Sequence, residues 1–414
     1  MEKIKHIKKI MKIIYMSKFH SNLSINITKK LDKNTKKKEG IFFTPINIVE
    51  LNLKLLEKYF NNIKSILEPS CGSCIFISEI MKKYKDKNIT GIEKNNKIYE
   101  SIKNLNNDKL KIVNDDFLTY NFSNNFDLIL GNPPYFVIKK KDIDKYYFEY
   151  LNGRPNIFIL FIIKSLQLLN NNGILSFVIP KNFLNCQYYN NTRKYIFENF
   201  LILDIVNCDD GFMETKQKTI IFIVQNKKGS NNEFCLIKNS SYIFDSKDNI
   251  IELKKLYQNS KSLNELKFEV KVGNLVWNKH KNILTDDSNK TRLIYNSDIV
   301  KNKLILKSYK NELKKNFIDK KGMKDVVLLI NRGHGVGNYK FEYYLLDDKI
   351  EYLIENHLIY IKSLDTEGNI AKEKLKKIIN SLNDDRTKNF IELYCSNNAL
   401  NTNELRYLLP IYGM

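Results

Sequence analysis

Between residues 40 and 228 the chain alternates short apolar runs with segments of helical spacing. The runs "SILE" (65–68), "ITGIE" (89–93), "KIVN" (111–114), "FDLILG" (126–131), "GILSFVIP" (173–180), "LILDIVN" (201–207) and "TIIFIVQ" (219–225) have the length and β-branched content of buried strands. Between the early ones, "FISEIMKKY" and "KIYESIKNL" repeat apolar residues every three or four positions, as amphipathic helices do. "FILFIIKSLQLLNNNG" predicts another helix, stopping at the three asparagines and glycine of 170–173. Strand and helix in alternation predict an α/β domain with a mainly parallel sheet covered on both faces. The short link between the last two runs predicts a hairpin-like antiparallel edge strand.

Beyond "NKKGSNNEF" (226–234), a polar stretch with turn formers, this alternation fades. Residues 235–414 mix strand-like runs ("DVVLLINRG", "HLIYIKSL") with helical ones ("KEKLKKIINSL") and show no internal repeat. A separate α+β domain is expected there.

Composition adds a partner class. The 414 residues carry 68 Lys and Arg against 46 Asp and Glu, a formal charge of +22, with 43% hydrophobic content. A chain of this size holds one large or two ordinary domains. The charge points to a polyanion, nucleic acid first and an anionic membrane surface second. AT-rich coding, visible in the abundance of Lys, Asn and Ile, would give the same excess. Residues 1–40 hold 12 lysines and three acids. There "HIKKIMKIIYMSK" has some helical spacing, and "NTKKKEG" reads as a solvated basic approach to the first domain. No stretch reaches 18 apolar residues, so a soluble, intracellular protein with no membrane partner is expected. The six cysteines are expected as free thiols. Cys71 and Cys74 have CxxC spacing, but no second pair or nearby His pair completes a metal site. They read as small packing residues in a turn, and no metal is expected.

The chemistry lies at the ends of the strands, where open α/β sheets place ligands. The first strand leads through "LEPSCGSCIF" (67–76) into a helix. A turn of small residues lets a ligand approach the backbone, although the single glycine leaves no room for a dinucleotide pyrophosphate. The second strand ends in Glu93, placed to accept from the hydroxyls of a ribose. The third ends in "NDDF", where Asp116 could accept from an adenine amine and Phe117 could stack on its ring. Each acid alone could equally cap a helix or sit on a turn. Together they describe an adenosine pocket without phosphates. The fourth strand runs into Asn132-Pro133-Pro134-Tyr135, two prolines that no strand interior accepts. The Asn132 amide oxygen and the Pro133 carbonyl could hold both hydrogens of a planar amine, freeing its lone pair. Tyr135 offers a face for a flat base.

These motifs, in this order, resemble the γ class of DNA adenine-N6 methyltransferases, the TaqI-like group with a C-terminal target-recognition domain. The resemblance covers about residues 38–228. It implies a Rossmann-like class I S-adenosylmethionine-dependent methyltransferase sheet and S-adenosylmethionine as cofactor. "GIFFTP" (40–45), with Phe43, Thr44 and Pro45, matches the cofactor segment that precedes the first strand. Glu68, Ser70, Cys71 and Gly72 fill the cofactor loop, Glu93 the ribose acid, Asp116 and Phe117 the adenine contacts, and Asn132 to Tyr135 the catalytic motif. "GFMETKQKTIIFIV" (211–224) resembles the late motif whose aromatic residue walls the flipped-base pocket, which makes Phe212 the partner of Tyr135. One departure is Cys74, where the family loop often carries glycine; weaker cofactor binding is the expected cost. Three parts follow: a basic arm over 1–36, a catalytic domain over 37–230 and a DNA target-recognition domain over 235–414.

In the second half the resemblance is weaker. Trp277, Asn278, Lys279, Arg332, His334 and Lys340 are the candidate DNA contacts, Trp277 either stacking against DNA or packing in a core. Double-stranded DNA is the expected partner, bound by a monomer, with a separately encoded restriction endonuclease as a possible companion. Three rivals remain: a glutamine-N5 methyltransferase of release factors, a ribosomal RNA methyltransferase, and a non-catalytic DNA-binding relative. The first two share the NPPY-type motif.

Overall fold

A computed structural model describes residues 19–208, 212, 217–331, 342–347, 349–394 and 401–414. The chain divides into two compact units. One contains the residues up to Ile237 together with Ser241–Ile250, and the other contains Lys238–Ser240 and Ile251–Met414.

Seven strands build the sheet of the first unit: β1 (Ser65–Glu68), β2 (Asn88–Ile92), β3 (Leu110–Val113), β4 (Phe126–Gly131), β5 (Leu169–Pro180), β6 (Leu201–Asn207) and β7 (Thr219–Gln225). Their order is β3-β2-β1-β4-β5-β7-β6. The first five are mutually parallel, and β7 runs antiparallel to both β5 and β6. The antiparallel edge is thus a β6–β7 hairpin in which β7 lies one strand in and β6 forms the border.

Alternation along the strands feeds two cores. Ile66, Leu128, Ile174 and Ile221 face one, and Leu67, Ile129, Leu175 and Phe222 the other. Helices α3 (Ile46–Leu56), α4 (Ile75–Lys83) and α5 (Asn96–Ile102) cover the first face. On the second lie α6 (Ile157–Gln167) and α7 (Asn190–Asn199). Residues 157–163 of α6 are all buried, which explains a run apolar on every side. No described helix is long and apolar enough to cross a membrane.

Two sequence expectations give way. The helix expected to stop at the asparagines and glycine of 170–173 ends at Gln167, and those asparagines already belong to β5. Side-chain amides supply the reason. Asn170 Nδ2 donates to Asp127 Oδ1 at 2.7 Å, and Asn226 Nδ2 donates to the carbonyls of Leu169 and Asn170 at 3.2 and 3.1 Å. A left-handed Asn172 (φ 62°) sits where the β4–β5 register shifts. The basic segment before residue 40 is also folded where described. It forms α1 (Asn22–Lys30) and α2 (Lys33–Glu39), capped by Ser21 and Asp32. Ile27 and Leu31 join the core, and Lys36 is buried rather than solvated.

The second unit has α+β character. One four-stranded sheet orders Phe268–Val272, Leu358–Ser363, Val327–Asn331 and Tyr343–Leu346, antiparallel throughout. Another orders Leu284–Thr285, Phe317–Ile318, Thr291–Ile294 and Tyr352–Ile354. Helices Gly368–Leu382, Asp385–Tyr394 and Thr402–Tyr407 complete it.

Candidate active site

The carboxyl ends of β1 to β4 open on a cavity of about 630 Å³ lined by residues that include Glu39, Phe43, Gly72, Glu93, Asp116 and Asn132. After β1 the chain turns tightly through Gly72 (φ 52°) into α4, and a Cβ at Gly72 would lie 3.4 Å from the Phe43 ring. Cys74 caps α4 in the left-handed conformation, φ 55°, fully buried. Cys71 and Cys74 are free thiols. A hydrogen bond with Cys74, together with burial, pushes the Cys71 thiol well up. Beneath the loop lies the Glu68 carboxyl, held protonated to well above the usual carboxylate range by burial. Gly131 passes over it at φ 142°, where a Cβ would approach Glu68 Cγ to 3.2 Å. That close approach explains the glycine before Asn132.

Glu93 is the best-anchored acid. Its Oε2 accepts from the Gly72 N–H at 2.9 Å and its Oε1 from the Asn95 N–H at 2.7 Å. Burial raises its carboxyl to about 7 despite both bonds. Asp116 accepts from the Leu118 N–H at 3.0 Å and pairs with Lys94 at 2.8 Å. Phe117 lines the cavity, with its side chain 1% exposed and its ring 4.9 Å from that of Phe161 at a tilt of 37°.

The end of β4 at Asn132 is pinned from two sides. Asn132 Nδ2 donates to the Phe42 carbonyl at 3.0 Å, which orients the carboxamide. The Tyr135 hydroxyl meets Asn132 Oδ1 and the Val178 carbonyl, and Ser70 Oγ donates to the Asn132 carbonyl at 3.3 Å. Burial pushes the Tyr135 phenol far above its ordinary range, so it stays a donor. Its ring packs edge-on to Phe158 at 6.0 Å, against the second core, whereas Phe212 packs against the first. Phe136, which the sequence reading passed over, lines the cavity. Thr44 is buried, and the Pro45 carbonyl accepts from Ile48 and Val49 as the cap of α3.

Glu39 and Asn95 were also missed. Asn95 Nδ2 donates to Glu39 Oε2 at 2.8 Å, while Asn95 Oδ1 caps α5 through Lys97 and Ile98. An Asn just before a helix was a readable capping signal. Glu39 gave none, being one acid in a lysine run. Among the described residues no group of three or more His, Cys, Asp or Glu could hold a metal.

In the second unit Trp277 is half-buried against Leu275, Leu293, Tyr295 and Ile318, and Asn278 and Lys279 are exposed. Arg332, His334 and Lys340 lie outside the described residues, as do the neighbours of Phe212 at 209–211 and 213–216.

Residues 14–213 match a family model described as Eco57I restriction-modification methylase. The chain is 28% identical over 406 residues to the type II methyltransferase M.CvrRI of Paramecium bursaria Chlorella virus XZ-6E, covering 96% of this chain and all of that protein. It is 26% identical over 400 residues to the modification methylase CviBIII of Paramecium bursaria Chlorella virus NC1A, covering 95% and 99%. The fold of the DrdV–DNA complex, solved by cryo-EM, matches at a TM-score of 0.53 and 14% identity, over 94% of this chain and 57% of that one. The first unit has the fold of a class I methyltransferase. The chain is similar to restriction-modification methylases over about its first half, and to two viral methylases over nearly its whole length.

S-adenosylmethionine is the cofactor of this fold, and the residues present fit it. Glu93 offers acceptors for ribose hydroxyls, Gly72 leaves its turn open, and the wall acids Glu39, Glu93, Asp115 and Asp116 outnumber Lys94 and Lys97. That excess suits a ligand with a sulfonium charge.

Proposed function

We propose that the chain transfers a methyl group from S-adenosylmethionine to the N6 amine of adenine in a specific site of duplex DNA, as the modification enzyme of a type II restriction-modification system. The observation that carries this reading is the orientation of Asn132: its amide nitrogen is engaged by Phe42, and Oδ1 is the accepting end, met here by the Tyr135 hydroxyl, whose place a substrate amine would take. The cofactor supplies a methyl already activated by its positive sulfur, so the protein needs no nucleophile of its own. Asn132 Oδ1 and the Pro133 carbonyl would accept hydrogen bonds from the two amine hydrogens and draw the nitrogen toward tetrahedral geometry. Pro134 fixes the turn. Glu93 would hold the ribose and Asp116 the adenine amine of the cofactor, with Ser70, Gly72 and Phe43 lining the cavity and Cys71, Thr44 and Pro45 adjoining them in the chain.

A paired adenine keeps its amine inside the duplex, so the target must be extruded, at a cost of roughly a few kcal/mol. Stacking of the base on Tyr135 and Phe212 would offset this by ~1–3 kcal/mol per ring, once the two rings, which pack against different cores here, come to face one base. Residues 235–414 serve as the recognition domain and 37–230 as the catalytic one. A monomer suffices, since an asymmetric recognition domain needs no symmetric partner. The length shared with M.CvrRI and CviBIII supports this reading. The test is transfer of labelled methyl to unmethylated genomic DNA, with RNA and a release factor as parallel substrates. Label in DNA alone supports it, and label only in RNA or protein overturns it.

A further inference from the structure

Residues 301–315 of the second unit contain six lysines and one glutamate, and the sequence reading singled out none of them. An ordinary basic loop of this length would be mobile. This one is held by a buried network. Arg292 and Asp298, both buried, pair at 2.8 Å, and Arg292 also donates to the carbonyls of Ile305 and Asn316 at 3.3 and 2.8 Å. Asn316 Nδ2 returns a bond to the Lys307 carbonyl at 2.8 Å, and the Tyr309 hydroxyl donates to Asp298 Oδ1 at 2.5 Å. Lys314 lies over the rings of Tyr295 and Tyr309 at 4.0 and 4.1 Å.

A buried ion pair adds little net stability, so its effect here is to fix a geometry. The geometry it fixes turns apolar side chains outward. Leu306 is 65% exposed and Leu313 55%. Lys303 and Lys310 beside them are exposed, and no carboxylate among the described residues pairs with either. A rigid loop that shows leucine to solvent among unpaired lysines is organised for a partner both anionic and apolar. A nucleic-acid duplex, with phosphates flanking sugars and base edges, has both properties.

We infer that the loop of residues 301–315 is a preformed duplex-DNA contact, with Lys303 and Lys310 on phosphates and Leu306 against the groove. This rests on the proposed function and locates part of its DNA-binding surface.

The test is fluorescence anisotropy of the full chain with a mixed-sequence 30-base-pair DNA duplex, across a salt series. Each phosphate contact contributes about 0.9 to the slope of log affinity against log salt. Lys303→Ala and Lys310→Ala should each lower the slope by about that amount, and the double variant by about 1.8. Leu306→Ala should weaken binding several-fold with the slope unchanged. Lys388→Ala, at a lysine paired with Asp385 on its own helix, should change neither. Equal thermal melting of all variants excludes unfolding. Wild-type binding with an unaltered slope in the double variant overturns the assignment while leaving the proposed function intact. A loss confined to an RNA duplex of the same sequence overturns the choice of DNA. Failure of the wild-type chain to bind duplex DNA overturns the proposed function itself.

Discussion

Asn132 and Phe42 are 90 residues apart in sequence, yet the side-chain amide of one donates to the main-chain carbonyl of the other at 3.0 Å. The bond joins the end of β4 to the segment before the sheet begins. It also makes Oδ1 the accepting end of the carboxamide, where the Tyr135 hydroxyl donates. In Asn132→Ala the acceptor and the tie are both lost. Methyl transfer should fall by at least about 100-fold, the usual scale for removing a donor or acceptor made for the transition state. Cofactor affinity by calorimetry should stay within a few-fold of wild type. Near-normal turnover in that variant would remove Asn132 from the mechanism.

Gly40 ends α2 at φ 66°, with its α-carbon face against the NPPY segment. A Cβ there would lie 2.7 Å from the Tyr135 nitrogen. Gly40→Ala therefore combines a left-handed conformation, costing ~1–2 kcal/mol, with a backbone clash. Both thermal stability and turnover should decline. An unchanged melting temperature would mean that the two segments are not in this contact.

Cys74 adopts φ 55° with its side chain fully buried. Glycine at this position would relieve the backbone, whereas alanine would keep the strain and lose the sulfur. Cys74→Gly should therefore be no less stable than Cys74→Ala, by about 1 kcal/mol in favour of glycine, although glycine buries less. Chemical denaturation of the pair reads the difference directly. The reverse order would show that the turn is not strained.

Glu93 titrates near 7 because burial outweighs its two backbone bonds. Its ionised form accepts ribose hydroxyls best, so cofactor affinity should rise with pH through about 7 and weaken by up to tenfold per unit below it. Stability runs the other way. The folded state holds this proton more tightly than the unfolded chain, so the contribution is complete below about 4.5, the ordinary carboxyl value, and is lost as pH rises through about 7. Glu93→Gln should flatten both profiles. Cofactor binding that stays flat in the wild-type chain from pH 6 to 8 would count against a ribose contact.

The strands β4, β6 and β7 could be read to the residue because buried strands in such a sheet are continuous apolar runs with turn formers at each end. Glu93 and Asp116 were legible for a related reason, since chain order and strand-end position converge in this topology. What escaped depends on contacts distant in sequence. Asn170 looked like a helix stop, but Asp127 and Asn226 satisfy it inside β5. Lys36 and Glu39 looked like parts of one solvated run, yet one is buried and the other reaches Asn95. Phe117 was expected at the adenine and lines the cavity, but its contact with Phe161 could not be read from local sequence. The loop of 301–315 was passed over because nothing nearby in sequence announces Arg292 and Asp298 as its support.

If the amine held by Asn132 belongs to adenine, the methyl arrives on N6. The most direct measurement is nucleoside analysis of duplex DNA methylated by the wild-type chain with labelled S-adenosylmethionine, with Asn132→Ala run in parallel. The account predicts N6-methyldeoxyadenosine as the labelled product and none from the variant. Label in N4-methyldeoxycytidine, or equal label from Asn132→Ala, would contradict it.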